Sequence, residues 1–256
     1  MTKLKIFLLA MLMILVADPS AMSRSLPASK PPVKVAVENP LPAHEHSDKC
    51  KQTSAEPVQI ICILDRSGSM SALASDTIGG YNSFLEKQRQ EPGTAEVTTV
   101  LFDDRYELIN DAVDLQKTED LTSAQYYARG TTALLDAVGR TLTEVAGKME
   151  KQGICPAERR VLVLIMTDGL ENASHEYQKA TVKSMIEKAT NDYKWNFIFM
   201  GANIDSISEA SSIGIAPTHA ANYSHDREGV AKSFMQMEAA AAEMRSSGSV
   251  SEDWKK

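Results

Sequence analysis

Apolar positions along the chain fall into two alternating patterns, short unbroken runs and longer stretches that repeat every three or four residues. Val58 to Leu64 is the first run, with Ile60, Ile61 and Ile63 inside it, and it stops at Asp65 and a Ser/Gly cluster, as a buried parallel strand does. Ile78, Tyr81 and Leu85 then recur at spacings of 3 and 4, marking the inner face of a helix that ends before Pro92-Gly93. Val97 to Phe102 and Tyr106 to Ile109 flank Asp103-Asp104-Arg105, a hairpin that sets an antiparallel strand at the edge of the sheet. Leu135, Val138, Leu142, Val145 and Met149 form a helical stripe ending near Gly153. The most apolar run, Val161 to Met166, closes with Thr167-Asp168-Gly169, which predicts a central strand. Val182, Met185, Ile186 and Ala189 mark the next helix, Phe197 to Met200 a fifth strand, and Gly201 another strand-to-helix turn. A short helix around Ile207, a sixth strand between Thr218 and Tyr223 and an amphipathic helix from Glu228 to Arg245 complete the pattern.

Strands alternating with helices predict an α/β fold: a doubly wound, mostly parallel sheet with one antiparallel edge strand and helices on both faces, spanning residues 58–246. Ligands in such sheets sit beyond the carboxyl ends of the strands where strand order reverses, so Asp65 and Asp168 point to the expected site. Residues 247–256 read as a polar tail. Before the domain, residues 24–57 hold Pro27, Pro31, Pro32, Pro40, Pro42 and Pro57, which block helix interiors and remove ladder donors, so this stretch reads as a linker. His44-Glu45-His46 inside it reads as a solvated tract, because nothing nearby completes a metal site. Residues 1–23 read as a signal peptide: Lys3 and Lys5 precede an apolar run from Ile6 to Ala17, and Ala21-Met22-Ser23 suits cleavage. An exported protein follows, periplasmic, secreted or held by an uncleaved anchor, with a cytoplasmic one as the alternative if the leader is a start-site artefact.

Composition narrows the partners. The 256 residues suffice for one α/β domain, and 43% hydrophobic with 24% charged residues is ordinary for a globular chain. With 34 acidic against 27 basic side chains, the net charge of -7 repels a polyanion, so nucleic acid is not expected as a partner. No phosphate-binding loop, dinucleotide fingerprint or Gly-x-Ser-x-Gly elbow is present, so no small-molecule cofactor is expected either. Of the three cysteines, Cys62 lies within the first strand, while Cys50 and Cys155 precede strands one and four. If those strands are parallel neighbours, the latter two start from the same end of the sheet, and export would permit a Cys50–Cys155 disulfide.

The chemistry concentrates where the first strand ends. Asp65-Arg66-Ser67-Gly68-Ser69-Met70 places a carboxylate and two hydroxyls at spacings of two in one tight loop. All three donors are oxygen, which suits Mg2+ (or Mn2+ and Ca2+) better than zinc. Thr132, in Gly130-Thr131-Thr132-Ala133-Leu134, and Asp168 extend the set to five. Together these segments resemble the metal-ion-dependent adhesion site of von Willebrand factor A-type domains, the match covering Val58 to Ser246, and the Leu-Asp-Arg-Ser-Gly-Ser-Met phrase and Gly201-Ala202-Asn203 are similar to small bacterial single-domain members.

The resemblance implies that Ser67, Ser69 and Thr132 touch a metal while Asp65 and Asp168 act largely through water. It further implies that the metal takes a carboxylate from an Asp or Glu of a protein partner, which is recognition and not catalysis. Thr131 departs from the family, which usually has a second Gly there, so Thr131 and Thr132 could exchange roles. Glu171 and Asn172 follow Asp168 closely and could tune the site from behind its ligands, but a solvated loop is the preferred reading. Two other readings stay open: a structural or assembly domain whose metal site is unused, and a metal-dependent phosphohydrolase with Asp65 as nucleophile. The latter is weakened because Ser67 stands where such enzymes carry a titrating acid.

Overall fold

The computed structural model describes residues 40–42 and 57–255. Its sheet is built from β1 (Val58–Asp65), β2 (Ala95–Phe102), β3 (Tyr106–Asp114), β4 (Val161–Thr167), β5 (Asn196–Gly201) and β6 (Ala220–Asn222). The helices are α1 (Ala74–Gln90), α2 (Leu134–Lys151), α3 (Lys179–Asn191), α4 (Ser206–Ser212) and α5 (Arg227–Ser247). Strand order is β3-β2-β1-β4-β5-β6, and only β3 runs antiparallel, as the hairpin at Asp103-Asp104-Arg105 demands.

Every residue of β1 and β4 is buried, because helices cover both faces of the sheet's centre. Alternation then divides the core in two. Ile60, Cys62 and Leu64 pack with Leu162, Leu164 and Met166 under α1 and α5. Ile61 and Ile63 pack with Val163 and Ile165 under α2 and α3. Each such side chain contributes roughly 1.5–3 kcal/mol on leaving water.

The strand order reverses between β1 and β4, which are hydrogen-bonded parallel neighbours with Leu64 opposite Met166. Asp65 ends one strand and Asp168 follows the other directly, so both acids stand at the carboxyl ends of the strands, where this topology places a ligand.

Three stretches differ from the sequence reading. β3 runs to Asp114 and not merely to Ile109, because an edge strand with one face on the core tolerates polar Asn110 and Asp111. Residues 247–256, read as a polar tail, carry Val250 and Trp254 into the core: Trp254 donates its indole N–H to the Thr218 carbonyl at 3.0 Å, and the Val250 amide donates to Asn196 Oδ1 at 3.1 Å. In the stretch read as linker, Leu41 is buried as part of the core cluster that lies under α2 and α3, and Tyr193 donates its hydroxyl to the Pro42 carbonyl at 2.5 Å. Cys155 is disulfide-bonded and Cys62 is a free, buried thiol whose pKa burial pushes up to about 12. Cys50, the His44-Glu45-His46 triplet and the leader lie outside the described residues. No helix among the described residues is long and apolar enough to cross a membrane.

Candidate metal site

The loop after β1 is shaped by hydrogen bonds to Asp65. Its Oδ1 accepts from the Ser67 amide at 2.6 Å, which curls the chain so that Ser67 and Ser69 lie on one side, their Oγ atoms 3.1 Å apart. Its Oδ2 accepts from the Thr167 hydroxyl at 2.6 Å, tying the end of β1 to the end of β4. Ser69 Oγ then donates to Asp168 Oδ1 at 2.5 Å. Two buried tyrosines hold the strand ends from behind: Tyr126 donates to the Asp65 carbonyl, and Tyr223 donates to the Thr167 carbonyl at 3.2 Å.

Thr132 arrives from the loop before α2. It is buried whereas Thr131 is exposed. Thr132 Oγ1 and Ser69 Oγ lie 3.5 and 3.8 Å from the point where a Cβ on Gly169 would stand, so both hydroxyls face the backbone just past Asp168. Gly130 makes this approach available. Its φ of +64 lies in the left-handed region, a Cβ there would meet Asp104 Oδ1 at 1.9 Å, and its carbonyl accepts from the Gly68 amide at 3.2 Å. The five residues singled out from the sequence therefore converge at one end of the β1/β4 seam.

Glu171 and Asn172, expected to be a solvated loop, are braces. Asn172 Oδ1 accepts from the Thr132 amide at 2.9 Å while the Asn172 amide donates to the Thr132 carbonyl at 3.0 Å. Glu171 accepts from the Leu135 amide and from Ser174, and Ser174 Oγ accepts from the Asp136 amide, satisfying first-turn donors of α2. His225, just before α5, was not singled out at all, and its Nε2 lies 2.8 Å from Asp168 Oδ2. Thr167 reads in the sequence only as part of the Thr167-Asp168-Gly169 closure of the fourth strand.

Electrostatically the site is short of positive charge. Asp65 and Asp168 are 1% and 2% exposed. Burial, with a smaller push from the Asp168 charge, raises the Asp65 pKa to about 6 against the pull of its hydrogen bonds from Thr167 and Ser67. No basic side chain among the described residues forms an ion pair with Asp65; Arg66, its neighbour, turns the other way to Asp103 and Glu107. The donors are hydroxyl and carboxylate oxygens, and no group of three or more His, Cys, Asp or Glu that could hold a metal occurs among the described residues. Clustered hard oxygen donors beside two buried acids fit a hard divalent cation, and lack the soft donors of a structural zinc site.

Among solved structures, the chain is similar to "von Willebrand factor type A from Catenulispora acidiphila", at 14% identity and a TM-score of 0.52, over 73% of this chain and 43% of that one. It is also similar to proximal thread matrix protein 1 from the mussel byssus, at 13% identity and a TM-score of 0.50, over 73% of this chain and 48% of that one. The chain thus spans less than half the length of either. No family model matches it, and no curated protein matches it by sequence. Identities this low speak to the fold alone.

Proposed function

Proceeding from a von Willebrand factor A-type fold, we propose that this domain is a divalent-metal-dependent binding module that captures an acidic group of a protein partner. Ser67, Ser69 and Thr132 would hold Mg2+, Mn2+ or Ca2+ with their hydroxyls, and Asp65 and Asp168 would balance its charge. The observation that carries the reading is the chain of oxygens from Ser67 through Ser69 to Asp168, with steps of 3.1 and 2.5 Å, at the seam where strand order reverses. A cation held mainly by neutral hydroxyls and water stays electrophilic and accepts a carboxylate from outside.

The residues of the chain do the remainder. Asp65 is fixed through both oxygens, so the loop carrying Ser67 and Ser69 is formed before any ligand arrives. The same two bonds, with 1% exposure, suit Asp65 poorly to nucleophilic attack, which disfavours a phosphohydrolase. An exported location is part of the proposal. It draws support from Cys155, since disulfides persist in oxidising compartments, and cell fractionation of the full chain tests it.

Thermal unfolding of the full chain in EDTA and then in excess Mg2+ or Mn2+ tests the site, with an Asp65→Ala, Ser67→Ala double variant alongside. Binding at about 100 times Kd stabilises by roughly 2.7 kcal/mol, a rise of about 5–10 °C for a domain of this size. The rise is expected in the wild type alone. An equal response in both proteins, or none in either, sinks the proposal in favour of a structural domain with an unused site.

A further inference from the structure

The Asp168 carboxylate is held at both ends. Oδ1 faces Ser69 Oγ at 2.5 Å, on the side where the hydroxyls gather, and Oδ2 faces His225 Nε2 at 2.8 Å on the other. A carboxylate only accepts, so Nε2 carries the proton and donates. With one oxygen held by an imidazole N–H, rotation about the Cβ–Cγ bond is blocked and the other oxygen stays aimed at the hydroxyl cluster.

His225 is itself placed by a braced turn between β6 and α5. Two residues earlier, the Tyr223 amide donates to the Gly201 carbonyl at 2.9 Å and its hydroxyl reaches the Thr167 carbonyl. One residue later, Asp226 donates its amide to the Ser224 carbonyl at 2.7 Å and caps α5 by accepting from the Gly229 amide at 2.7 Å. A Cβ at Gly229 would stand 1.9 Å from the Ser224 carbonyl oxygen, so the turn closes this tightly only with glycine there. The imidazole is 25% exposed and the Asp168 side chain 0%, so the contact is sheltered from competing water.

We propose that His225 is a positioning residue of the metal site, orienting Asp168 from outside without ligating the metal itself. This rests on the metal-binding reading above. Groups that orient metal-binding carboxylates in this way typically cost 10–100-fold in affinity when removed. Glutamine retains an N–H donor at similar reach, and alanine does not.

The test is Mn2+ titration of the full chain followed by electron paramagnetic resonance, for wild type, His225→Ala and His225→Gln, with thermal unfolding of each in EDTA. We expect the alanine variant to bind Mn2+ about 10–100-fold more weakly, and the glutamine variant to recover most of that loss. Thermal midpoints in EDTA should not follow this order. Electron spin echo modulation of the bound Mn2+ should show no coupling to an imidazole nitrogen. Affinity within about twofold of wild type in His225→Ala overturns the inference while leaving the metal site intact, and nitrogen coupling that disappears in His225→Gln overturns it by making His225 a ligand. A wild type that binds no Mn2+ removes the metal-binding reading and this inference with it. Should the alanine variant not fold, His225→Phe keeps the ring's bulk without a donor and takes its place.

Discussion

Asp65 and Arg66 are neighbours, both charged and both buried, with 1% and 0% exposure, yet their surroundings treat them in opposite ways. Arg66 is neutralised by the protein: Nε lies 3.0 Å from Asp103 Oδ2, Nη2 pairs with Glu107, and Nη1 donates to the Gln125 carbonyl at 2.8 Å. Arg129 joins on Asp103 at 2.7 Å, and the Tyr127 ring lies 5.5 and 5.1 Å from the two guanidinium carbons. Asp65 receives hydrogen bonds only from neutral donors, the Thr167 and Ser67 hydroxyls and the Ser67 amide, and the charge that acts on it is that of another acid, Asp168. A buried charge that is fully paired holds loops together, whereas one left short of counter-charge is suited to an incoming cation. Arg66 therefore ties the surrounding loops together, and Asp65 is the acid on which the proposed metal site rests.

Breaking the Arg66 side of this contrast should have the largest effect. Asp103→Ala takes the buried carboxylate from two guanidinium groups, one of them buried, leaving them only the half-exposed Glu107 as counter-charge, and removes the side-chain bond that closes the hairpin at the Arg105 amide. Removing one partner of a buried pair costs about 3–5 kcal/mol. The expected outcome is a fall of about 10 °C in the thermal midpoint, in EDTA and in excess metal alike. A midpoint within about 2 °C of wild type would show that the cluster is not structural.

Sharpening the Asp65 side gives a smaller effect of the opposite sign. A carboxyl whose folded pKa, about 6, lies above its unfolded value is a burden on the fold wherever it is ionised. Asp65→Asn keeps an acceptor for the Ser67 amide and removes the charge. In EDTA at neutral pH it should stabilise by on the order of 2 kcal/mol, raising the midpoint by about 4–8 °C, while losing the response to Mg2+. A variant less stable than wild type in EDTA would mean that hydrogen bonds already compensate the charge.

How far this contrast was legible depends on the kind of signal each residue leaves. β1 and β4 are buried on both faces and write unbroken apolar runs, and the acids that follow them mark the seam in the sequence alone. Ser67, Ser69 and Thr132 were found by spacing and by resemblance to a family motif, but only burial separates Thr132 from Thr131. Arg66 reads as one more polar loop residue, because its partner Asp103 is 37 positions away and looks like part of a turn. His225, Glu171 and Asn172 sit in polar loops without periodicity, where a brace and a solvated side chain have the same appearance. Leu41, Val250 and Trp254 were missed for a related reason: a single apolar residue among prolines or serines has no period, and its burial is decided by what packs against it.

The finest test of the comparison concerns the hydrogen bonds that Asp65 has in place of a counter-ion. Thr167 is fully buried and its hydroxyl donates to Asp65 Oδ2 at 2.6 Å, so Thr167→Val removes a donor to a charge at nearly constant volume. Hydrogen bonds to charged groups are worth about 1.5–3 kcal/mol and those between neutral groups about 1 kcal/mol. The substitution should therefore cost about 2 kcal/mol in wild type in EDTA, and about half that in an Asp65→Asn background. The double-mutant cycle reads the difference directly, with a coupling near 1 kcal/mol expected. Equal costs in the two backgrounds would mean that the Asp65 charge draws nothing extra from Thr167, and that the side-chain bond adds no charge-dependent tie to the backbone ladder between β1 and β4.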